Sequence, residues 1–287
     1  MTSTAAVIGH PVAHSLSPEL FSFLAKTLGK DLQYEAIDVK PENLIEFIKS
    51  QKNDKSRVGF NVTIPHKEKL FELLDHVTEE ARTIGAVNVI EIKNGKLTGH
   101  NTDVQGLRDS FKLNGLDLEM ATVVILGAGG AARAAAFAVS CEGATRVVIC
   151  NRNFARAESI VNEYHSIFSD VVFVATDLQH DFSKEKARLV IQATPMGMSG
   201  VGGSDFDIFD RALSGPKAFA YDLVYRPEET DFLKLAKNKN FRTITGLSML
   251  IGQALATWEI WFGPLAEKAT LFESLTGYLR KKLAVAV

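Results

Sequence analysis

The 287-residue chain lacks several features that would assign it to a class at once. Its two cysteines, Cys141 and Cys150, are too few for a disulfide framework. Both lie in apolar stretches, so we expect buried thiols in a reducing compartment. No stretch approaches the roughly 18 uninterrupted apolar residues of a membrane-spanning helix, and the N-terminus shows no basic leader. Together these absences predict a cytoplasmic protein that has no membrane contact.

A strong charge of either sign is also missing. The net charge of −2 and the isoelectric point near 6.4 give no reason to expect nucleic acid as a partner. The seven histidines show no metal-ligand spacing, so we predict no metal site. The apolar content, 46%, is enough for the core of one large or two ordinary domains. We expect a monomer or a homodimer.

The N-terminal part alternates short apolar runs with helical patterns. "SPELFSFLAKTLG" predicts a helix with Ser17 as N-cap and Gly29 at its end. "RVGFNVTIP" alternates apolar and other residues with the period of a strand, which turns Thr63 away from the apolar set. A helix is predicted to open at Pro65, and Lys67 then lies in its first turn, where a cation is unfavourable. Taken alone, Lys67 could equally be an exposed lysine at a helix start.

The segment "GAVNVIEIKNGKLTGHNTD" predicts a β-hairpin. Asn94 and Gly95 are a type I′ turn signal between two extended runs. With these two residues as the turn, Asn88 faces Asn101, and Asp103 lies on the same face of the sheet. Three polar side chains therefore converge there, although a solvent-facing side of the hairpin would look the same.

The middle of the chain predicts a parallel, doubly wound sheet. "ATVVILGAGGAARAAAFAVSCEGATRVVICNR" has the order strand, glycine loop, alanine-rich helix, strand. Further strands are predicted at "DVVFVA", "RLVIQAT" and "KAFAYDLV", with room for crossover connections between them. After Gly246 the pattern is helical to the end. The domain boundary is predicted between Asp103 and Ala121.

The glycine loop "LGAGGAARA" fits G-x-G-x-x-A with Gly127, Gly129 and Ala132. The first glycine permits a tight turn and the second lets a pyrophosphate approach the backbone at a helix N-terminus. The preceding strand and the following helix supply the context that such a motif requires. We therefore predict a dinucleotide site here.

The residues after the second strand distinguish the two nicotinamide cofactors. An acidic residue there would bind the ribose hydroxyls of NAD, but this chain has Asn151 and Arg152, with Arg156 one helical turn later. Two guanidinium groups can bind one phosphate, which favours NADP. The alternative is two solvated arginines at a helix start.

Eight motifs together resemble the shikimate dehydrogenase family. In order they are "AHSLSP", "NVTIPHKE", "GAVN", "NTD", "GAGGAARA", "NR" with a downstream arginine, "DLVYRPEET" and "GLSMLIGQA". The resemblance implies an N-terminal α/β substrate domain, 1–104 with 247–287, and a Rossmann-like NADP-binding domain, 105–246, with the active site in the cleft between them. It also implies reversible NADP-dependent reduction of 3-dehydroshikimate to shikimate.

The same resemblance assigns roles to residues. It implies that Lys67 and Asp103 are the catalytic pair and that Ser15 and Ser17 bind the substrate carboxylate; Ser17 could also be a plain N-cap. The other substrate-binding positions that it implies are Thr63, Asn88, Tyr225 and Gln253. The cofactor-binding positions that it implies are Gly127, Ala128, Gly129, Gly130, Ala131, Asn151, Arg152, Arg156, Thr194, Leu223 and Gly246.

The chain departs from the family pattern at three places. Val104 follows "NTD" where glycine is common, "QATPMG" with Gln192 and Pro195 replaces "NATSxG", and "GHP" replaces "GNP". A quinate or quinate/shikimate dehydrogenase is the nearest alternative, although relatives that prefer NAD tend to have an acidic residue where Asn151 stands. A catalytically silent NADP-binding regulator is the other, and the presence of both Lys67 and Asp103 argues against it.

Overall fold

The computed structural model describes residues 2–52, 54–198, 211–215 and 217–285. The chain forms two compact units, one from Met1–Asp103 with Ile251–Val287 and the other from Val104–Leu250. The assignment of substrate binding to the first unit and cofactor binding to the second stays a prediction at this point.

A mixed sheet forms the centre of the first unit. Its strands are β1 (Ser3–Gly9), β2 (Leu32–Asp38), β3 (Arg57–Val62), β4 (His76–Val77), β5 (Val89–Lys93) and β6 (Lys96–His100). Their order is β2-β1-β3-β5-β6-β4. β1 is parallel to β2 and β3, whereas β5 is antiparallel to β3 and β6. One end of the sheet therefore gathers the carboxyl ends of β1, β3 and β6 with the amino end of β5.

The second unit is a parallel sheet with the order β9-β8-β7-β10-β11-β12 read from one edge to the other. Its strands are β7 (Thr122–Leu126), β8 (Arg146–Cys150), β9 (Val172–Thr176), β10 (Leu189–Gln192), β11 (Phe219–Asp222) and β12 (Arg242–Ile244). All of its strand pairs are parallel. The order reverses at β7, which is the doubly wound arrangement predicted from the sequence and places ligands at the carboxyl ends of the strands.

The described α-helices flank these sheets or follow them. They are α1 (Ser17–Thr27), α2 (Leu44–Gln51), α3 (Glu79–Ile84), α4 (Asp103–Leu113), α5 (Gly130–Cys141), α6 (Phe154–His165), α7 (Asp231–Asn238), α8 (Gly246–Phe262) and α9 (Lys268–Val285). Short 3₁₀ turns lie at Pro41–Asn43 and Phe182–Lys184. Helix α8 begins in the second unit and continues into the first. The C-terminal segment is thus helical as predicted, with a break at Gly263, whose φ is +97°.

Each unit has its own apolar core. In the first, Ile8, Phe60 and Ile90 from three neighbouring strands are completely buried. In the second, Val124, Val148 and Val190 are equally buried. Removal of such side chains from water is the main favourable contribution to folding. In the described part of the chain, no helix combines the length and the apolarity needed to cross a membrane.

The predicted hairpin is confirmed. Val89 pairs with His100 and Lys93 with Lys96, and both Asn94 and Gly95 have positive φ, as a type I′ turn requires. The prediction that both cysteines are buried is wrong for one of them. Cys150 is buried in β8, but Cys141 is exposed because it is the last residue of α5.

The helix predicted to open at Pro65 does not form. The N–H groups of His66 and Lys69 donate to the carbonyls of Thr63 and His66, at 3.0 and 2.9 Å, which closes two short turns. The carbonyl of Lys67 accepts a hydrogen bond from the N–H of Val87 at 2.8 Å, so it is engaged by another segment and not by a residue four positions ahead. Lys67 therefore carries no helix-dipole penalty, and that part of the prediction is wrong.

Candidate functional site

Lys67 and Asp103 form a close ion pair in the first unit. The Lys67 Nζ lies 2.6 Å from the Asp103 Oδ2, and their side chains are 15% and 5% exposed. The second carboxylate oxygen accepts a hydrogen bond from the Asn88 Nδ2 at 2.8 Å. A buried carboxylate is stable only when charge and hydrogen-bond partners compensate its lost hydration, and both are present here.

The chain positions Asp103 as the first residue of α4. Its N–H donates to the Oδ1 of Asn101 at 3.0 Å, while the Asn101 Nδ2 donates to the carbonyl of Ala86 at 2.9 Å. The positive end of the α4 dipole therefore favours the carboxylate. Asn88 and Asp103 meet as the hairpin register predicts, and both are buried, so this side of the hairpin does not face solvent. The side chain of Asn101 acts as a helix cap.

Thr63 lies at the carboxyl end of β3, close to the end of β1. Its N–H donates to the carbonyl of Ile8 at 2.9 Å. A Cβ on Gly9 would lie 2.4 Å from the Thr63 Cγ2, so only glycine allows this approach. Thr63 and Lys67 are connected by the short turns after β3, at the end of the sheet where Asn88 immediately precedes β5.

Ser15 and Ser17 lie at the start of α1. Leu16 takes the N-cap position and Ser17 is the first helical residue, so the predicted cap role of Ser17 is wrong. The Ser15 hydroxyl accepts a hydrogen bond from the Ser17 N–H at 3.2 Å and donates to the Ser17 hydroxyl at 3.2 Å. Ser15, which precedes the N-cap residue, thus provides the acceptor for the first backbone N–H of α1. Both hydroxyls lie at a helix N-terminus, an environment that favours an anion.

Gln253 is 8% exposed and lies on the part of α8 that belongs to the first unit. One turn later, the hydroxyl of Thr257 donates to the Gln253 carbonyl at 2.8 Å. Tyr225, in contrast, belongs to the second unit and is partly buried. The role of both residues in substrate binding stays a prediction.

The glycine loop of the second unit has the geometry of an anion site. Gly127 has φ +109°, and its N–H donates to the carbonyl of Cys150 at 2.8 Å. A Cβ there would lie 3.0 Å from the Ala193 carbonyl oxygen. Gly129 occupies the N-cap position of α5, and a glycine has no side chain to cover the first N–H groups of the helix. Together with Ala128, Gly130 and Ala131, these residues leave the backbone open to a pyrophosphate and so fit a dinucleotide.

Asn151 links β8 to α6. Its N–H donates to the carbonyl of Thr176 at 3.1 Å, and its side chain donates to the carbonyl of Asn153 at 2.9 Å. Arg152 and Arg156 follow and are both exposed, Arg156 in the first turn of α6. Two exposed guanidinium groups beside the carboxyl end of β8 fit the 2′-phosphate of NADP.

Gln192 is completely buried at the carboxyl end of β10 and holds the loop that follows it. Its Nε2 donates to the carbonyls of Thr194 and Met196 at 3.2 and 2.8 Å. Its Oε1 accepts from the Thr194 N–H and hydroxyl, both at 2.9 Å. The two donors and the acceptor oxygen of this amide are thus all engaged. This residue, a departure from the family pattern, shapes the segment that carries the predicted cofactor residue Thr194.

Asp222 pairs with Gln192 across the two strands and is also completely buried. Its Oδ2 accepts from the Thr230 hydroxyl at 2.6 Å and its Oδ1 from the Val224 N–H at 2.9 Å. These bonds hold the segment after β11, which includes the predicted cofactor residue Leu223. Gly246, the first residue of α8, meets this segment closely, because a Cβ on it would lie 2.3 Å from the Leu223 carbonyl oxygen.

Burial raises the pKa of Asp222 to about 7, against the opposing hydrogen bonds from Thr230 and Val224. The unfolded carboxyl titrates near its ordinary value of about 3.9. Between about pH 4 and pH 7 the folded protein therefore holds a proton that the unfolded chain has released, and stability from this group is lost as the pH rises through this window. We therefore expect the urea midpoint of the wild type, relative to that of Asp222→Asn, to decrease as the pH rises from about 4 to about 7.

That comparison requires unfolding curves of both proteins at several pH values, read by a probe in the second unit. Asp231→Asn, which changes an exposed carboxyl with 78% side-chain accessibility, is the matched control and should show no such trend. A constant difference between the wild type and Asp222→Asn across this range would mean that Asp222 is already ionised in the fold.

The predicted site residues divide between the two units, and contacts are seen between Lys67, Asp103 and Asn88 and between Ser15 and Ser17. Lys67, Asp103, Asn88, Thr63, Ser15 and Ser17 lie in the first unit, and the glycine loop, Asn151, Arg152, Arg156, Thr194, Leu223 and Gly246 in the second. No motif or spacing in the sequence predicted a role for the buried Asp222. The same holds for three buried polar residues of the first unit, Asn61, Thr102 and Thr257. Asn61 and Thr102 lie 196 and 155 residues from their shared partner Thr257, so no local pattern marks these contacts. Among the described residues, no group of three or more His, Cys, Asp or Glu side chains could hold a metal ion.

Comparison with known proteins gives consistent results along the chain. Residues 7–90 match the family model of the shikimate dehydrogenase substrate binding domain, and residues 110–194 match that of shikimate / quinate 5-dehydrogenase. The shikimate dehydrogenase (NADP(+)) of Caldanaerobacter subterraneus subsp. tengcongensis is 37% identical over 96% of this chain and 97% of its own length.

Solved structures are similar over the same extent. Shikimate 5-dehydrogenase from Thermus thermophilus, in complex with NADP(H) and shikimate, is 35% identical with a TM-score of 0.81, covering 96% of this chain and 99% of that one. The ligand-free 5-ketofructose reductase of Gluconobacter sp. strain CHM43 is 32% identical with a TM-score of 0.81, covering 97% and 99%. Relatives that share this architecture therefore differ in the substrate that their names give.

Proposed function

The chain belongs to the shikimate dehydrogenase family, and from this premise we propose that it catalyses the reversible, NADP-dependent reduction of 3-dehydroshikimate to shikimate in aromatic amino-acid biosynthesis. One observation supports this most strongly: a lysine ammonium lies 2.6 Å from a buried carboxylate, whose other oxygen accepts a hydrogen bond from the Asn88 amide. The comparisons support the cofactor and the substrate class.

In the proposed reaction, bound NADPH supplies a hydride to the ring carbonyl carbon. Negative charge then develops on the carbonyl oxygen, and the Lys67 ammonium stabilises that charge and donates a proton to it. In the reverse direction the neutral amine of Lys67 accepts the proton from the hydroxyl. Asp103 orients the amine through its Oδ2, while Asn88 holds the other carboxylate oxygen.

Substrate recognition is assigned to groups around this pair. Ser15 and Ser17 bind the carboxylate, helped by the N-terminus of α1. Thr63 and Gln253 bind the ring hydroxyls by hydrogen bonds, Asn88 accepts from one of them through its Oδ1 because both of its N–H groups are engaged, and Tyr225 contributes from the second unit. This division fits the chemistry of the substrate, because the carboxylate needs a positive environment and the hydroxyls need groups that both donate and accept.

In the proposed complex the second unit binds NADP. The glycine loop, residues 127–131, receives the pyrophosphate, and Arg152 and Arg156 bind the 2′-phosphate. Asn151 contacts the adenosine ribose, and Thr194, Leu223 and Gly246 line the nicotinamide half. Support for this comes from the positive φ of Gly127 and from the exposed guanidinium groups beside β8.

We further propose that the protein works in the cytoplasm on free small molecules, as a monomer or a homodimer, and does not bind nucleic acid. The net charge of −2 supports the absence of nucleic-acid binding, because proteins that bind nucleic acid carry an excess of Lys and Arg on the binding surface.

Product analysis tests the proposed reaction. With 3-dehydroshikimate and NADPH we expect a product two hydrogens heavier that co-elutes with shikimate. 5-Ketofructose serves as the competing substrate, because a relative of similar identity is named for it. Faster NADPH oxidation with 5-ketofructose would replace the proposal by that activity, and no turnover with any carbonyl compound, despite NADP binding, would favour a silent regulator.

A further inference from the structure

A continuous path of buried polar side chains leads away from the Lys67–Asp103 pair in the first unit. It starts at Asn88, whose Nδ2 donates both to the Asp103 Oδ1 at 2.8 Å and to the Thr102 Oγ1 at 3.0 Å. The Thr102 Oγ1 lies 3.2 Å from the Thr257 Oγ1, which accepts from the Asn61 Nδ2 at 3.2 Å. We call Asn88, Thr102, Thr257 and Asn61 the buried polar path; each is at most 5% exposed.

The hydrogen positions along this path follow from the donors available. A hydroxyl has one hydrogen and can accept two bonds. The Thr257 hydroxyl donates to the Gln253 carbonyl at 2.8 Å, so it accepts from both Asn61 and Thr102. The Thr102 hydroxyl is therefore the donor to Thr257, and this leaves its own oxygen to accept from Asn88. Every hydrogen-bonding capacity of the Thr257 hydroxyl is used.

Thr257 is the point where three parts of the first unit meet. It is completely buried on α8, and its hydroxyl joins this helix to β3 through Asn61 and to the segment before α4 through Thr102. Gln253, the proposed substrate ligand, lies one turn earlier on the same helix. One hydroxyl thus connects the backbone of a substrate-binding residue with the amide that holds the Asp103 carboxylate.

We propose that Thr257 is a positioning residue for the reaction: its hydroxyl fixes Asn88, and through it the Asp103 carboxylate, relative to Gln253. The proposal rests on the proposed function of the Lys67–Asp103 pair. Its physical basis is that a catalytic group displaced by about an ångström can lose much of its rate advantage. The path does not transfer protons, because two of its members are amides.

Two substitutions of Thr257 separate the hydroxyl from the volume of the side chain. Thr257→Val keeps the volume but leaves the Asn61 and Thr102 donors without their acceptor. Thr257→Ser keeps the hydroxyl and loses a methyl group. We expect Thr257→Val to lower kcat about tenfold, with little change in KM for NADP, and Thr257→Ser to restore most of it. Ser140→Ala is the matched control, because it removes a buried hydroxyl that also donates to the carbonyl four residues earlier, on α5.

Steady-state kinetics of these variants test the proposal, with the folded fraction of each preparation measured by circular dichroism. Wild-type turnover with shikimate and NADP is measured first, and its absence would contradict the proposed function. Equal kcat of wild type and Thr257→Val, or a kcat of Thr257→Ser as low as that of the valine variant, would overturn the positioning role alone. If Thr257→Val does not fold, Thr102→Val decides: it should lower kcat similarly, and an unchanged kcat would overturn the proposal.

Discussion

Replacing Lys67 by alanine should lower kcat for shikimate oxidation by about 10²-fold or more, with a modest change in KM. In the proposed mechanism the lysine acts on the oxygen whose charge changes in the transition state, whereas the substrate carboxylate and the other hydroxyls keep their partners. Lys67 is only 15% exposed beside Asp103, so water cannot readily take over its role. Initial rates over a range of shikimate concentrations at saturating NADP measure both constants.

Two controls make the Lys67 result specific. Lys69→Ala removes an exposed lysine two residues further along the same loop and should leave both constants unchanged. The double variant Lys67→Ala with Asp103→Asn should lose little more than Lys67→Ala alone, because residues that act as a unit are not additive. The double variant also removes the buried Asp103 carboxylate, which Lys67→Ala alone leaves without its cation. A large rise in KM with unchanged kcat would make Lys67 a binding residue only.

The double substitution Arg152→Ala with Arg156→Ala should lower kcat/KM for NADP by about 10²-fold while leaving kcat/KM for NAD nearly unchanged. Hydrogen bonds from a guanidinium group to a phosphate are charge-assisted and among the stronger ones in proteins. NAD lacks the 2′-phosphate, so removal of the two guanidinium groups should not weaken its binding. The measurement compares both cofactors at a fixed shikimate concentration.

Arg280→Ala, on α9 in the first unit, is the control for the change in overall charge. It should not alter the preference between the two cofactors. Equal losses for NADP and NAD in the double arginine variant would indicate a general effect on the second unit, and no loss for either would mean that the arginines are solvated residues at a helix start.

The parts of the fold that depend on local chemistry could be predicted. The hairpin followed from Asn94 and Gly95, which tolerate the positive φ that both adopt. The glycine loop followed from its spacing between a strand and a helix. In contrast, β2 went unpredicted, because apolar and polar residues alternate only over Leu32–Ala36 and this edge strand has no fully buried side chain.

The geometry around the lysine could not be predicted, because distant segments determine it. The carbonyl of Lys67 is engaged by Val87, so the expected helix is replaced by turns. Asn61 and Thr257 are 196 residues apart, and Thr102 and Thr257 are 155 apart. The motifs predicted Lys67 and Asp103 as a pair, but the polar groups behind them are visible only in the folded chain. A helix dipole does act at this site, but it stabilises the Asp103 carboxylate at the start of α4 and does not affect Lys67.

The most direct measurement of the central claim is the set of kcat/KM values for shikimate and quinate, each with NADP and with NAD, followed by the absorbance of the reduced nicotinamide. We expect the highest kcat/KM for shikimate with NADP. The value should be lower when quinate replaces shikimate or when NAD replaces NADP. The highest value for quinate with NAD would contradict the central claim.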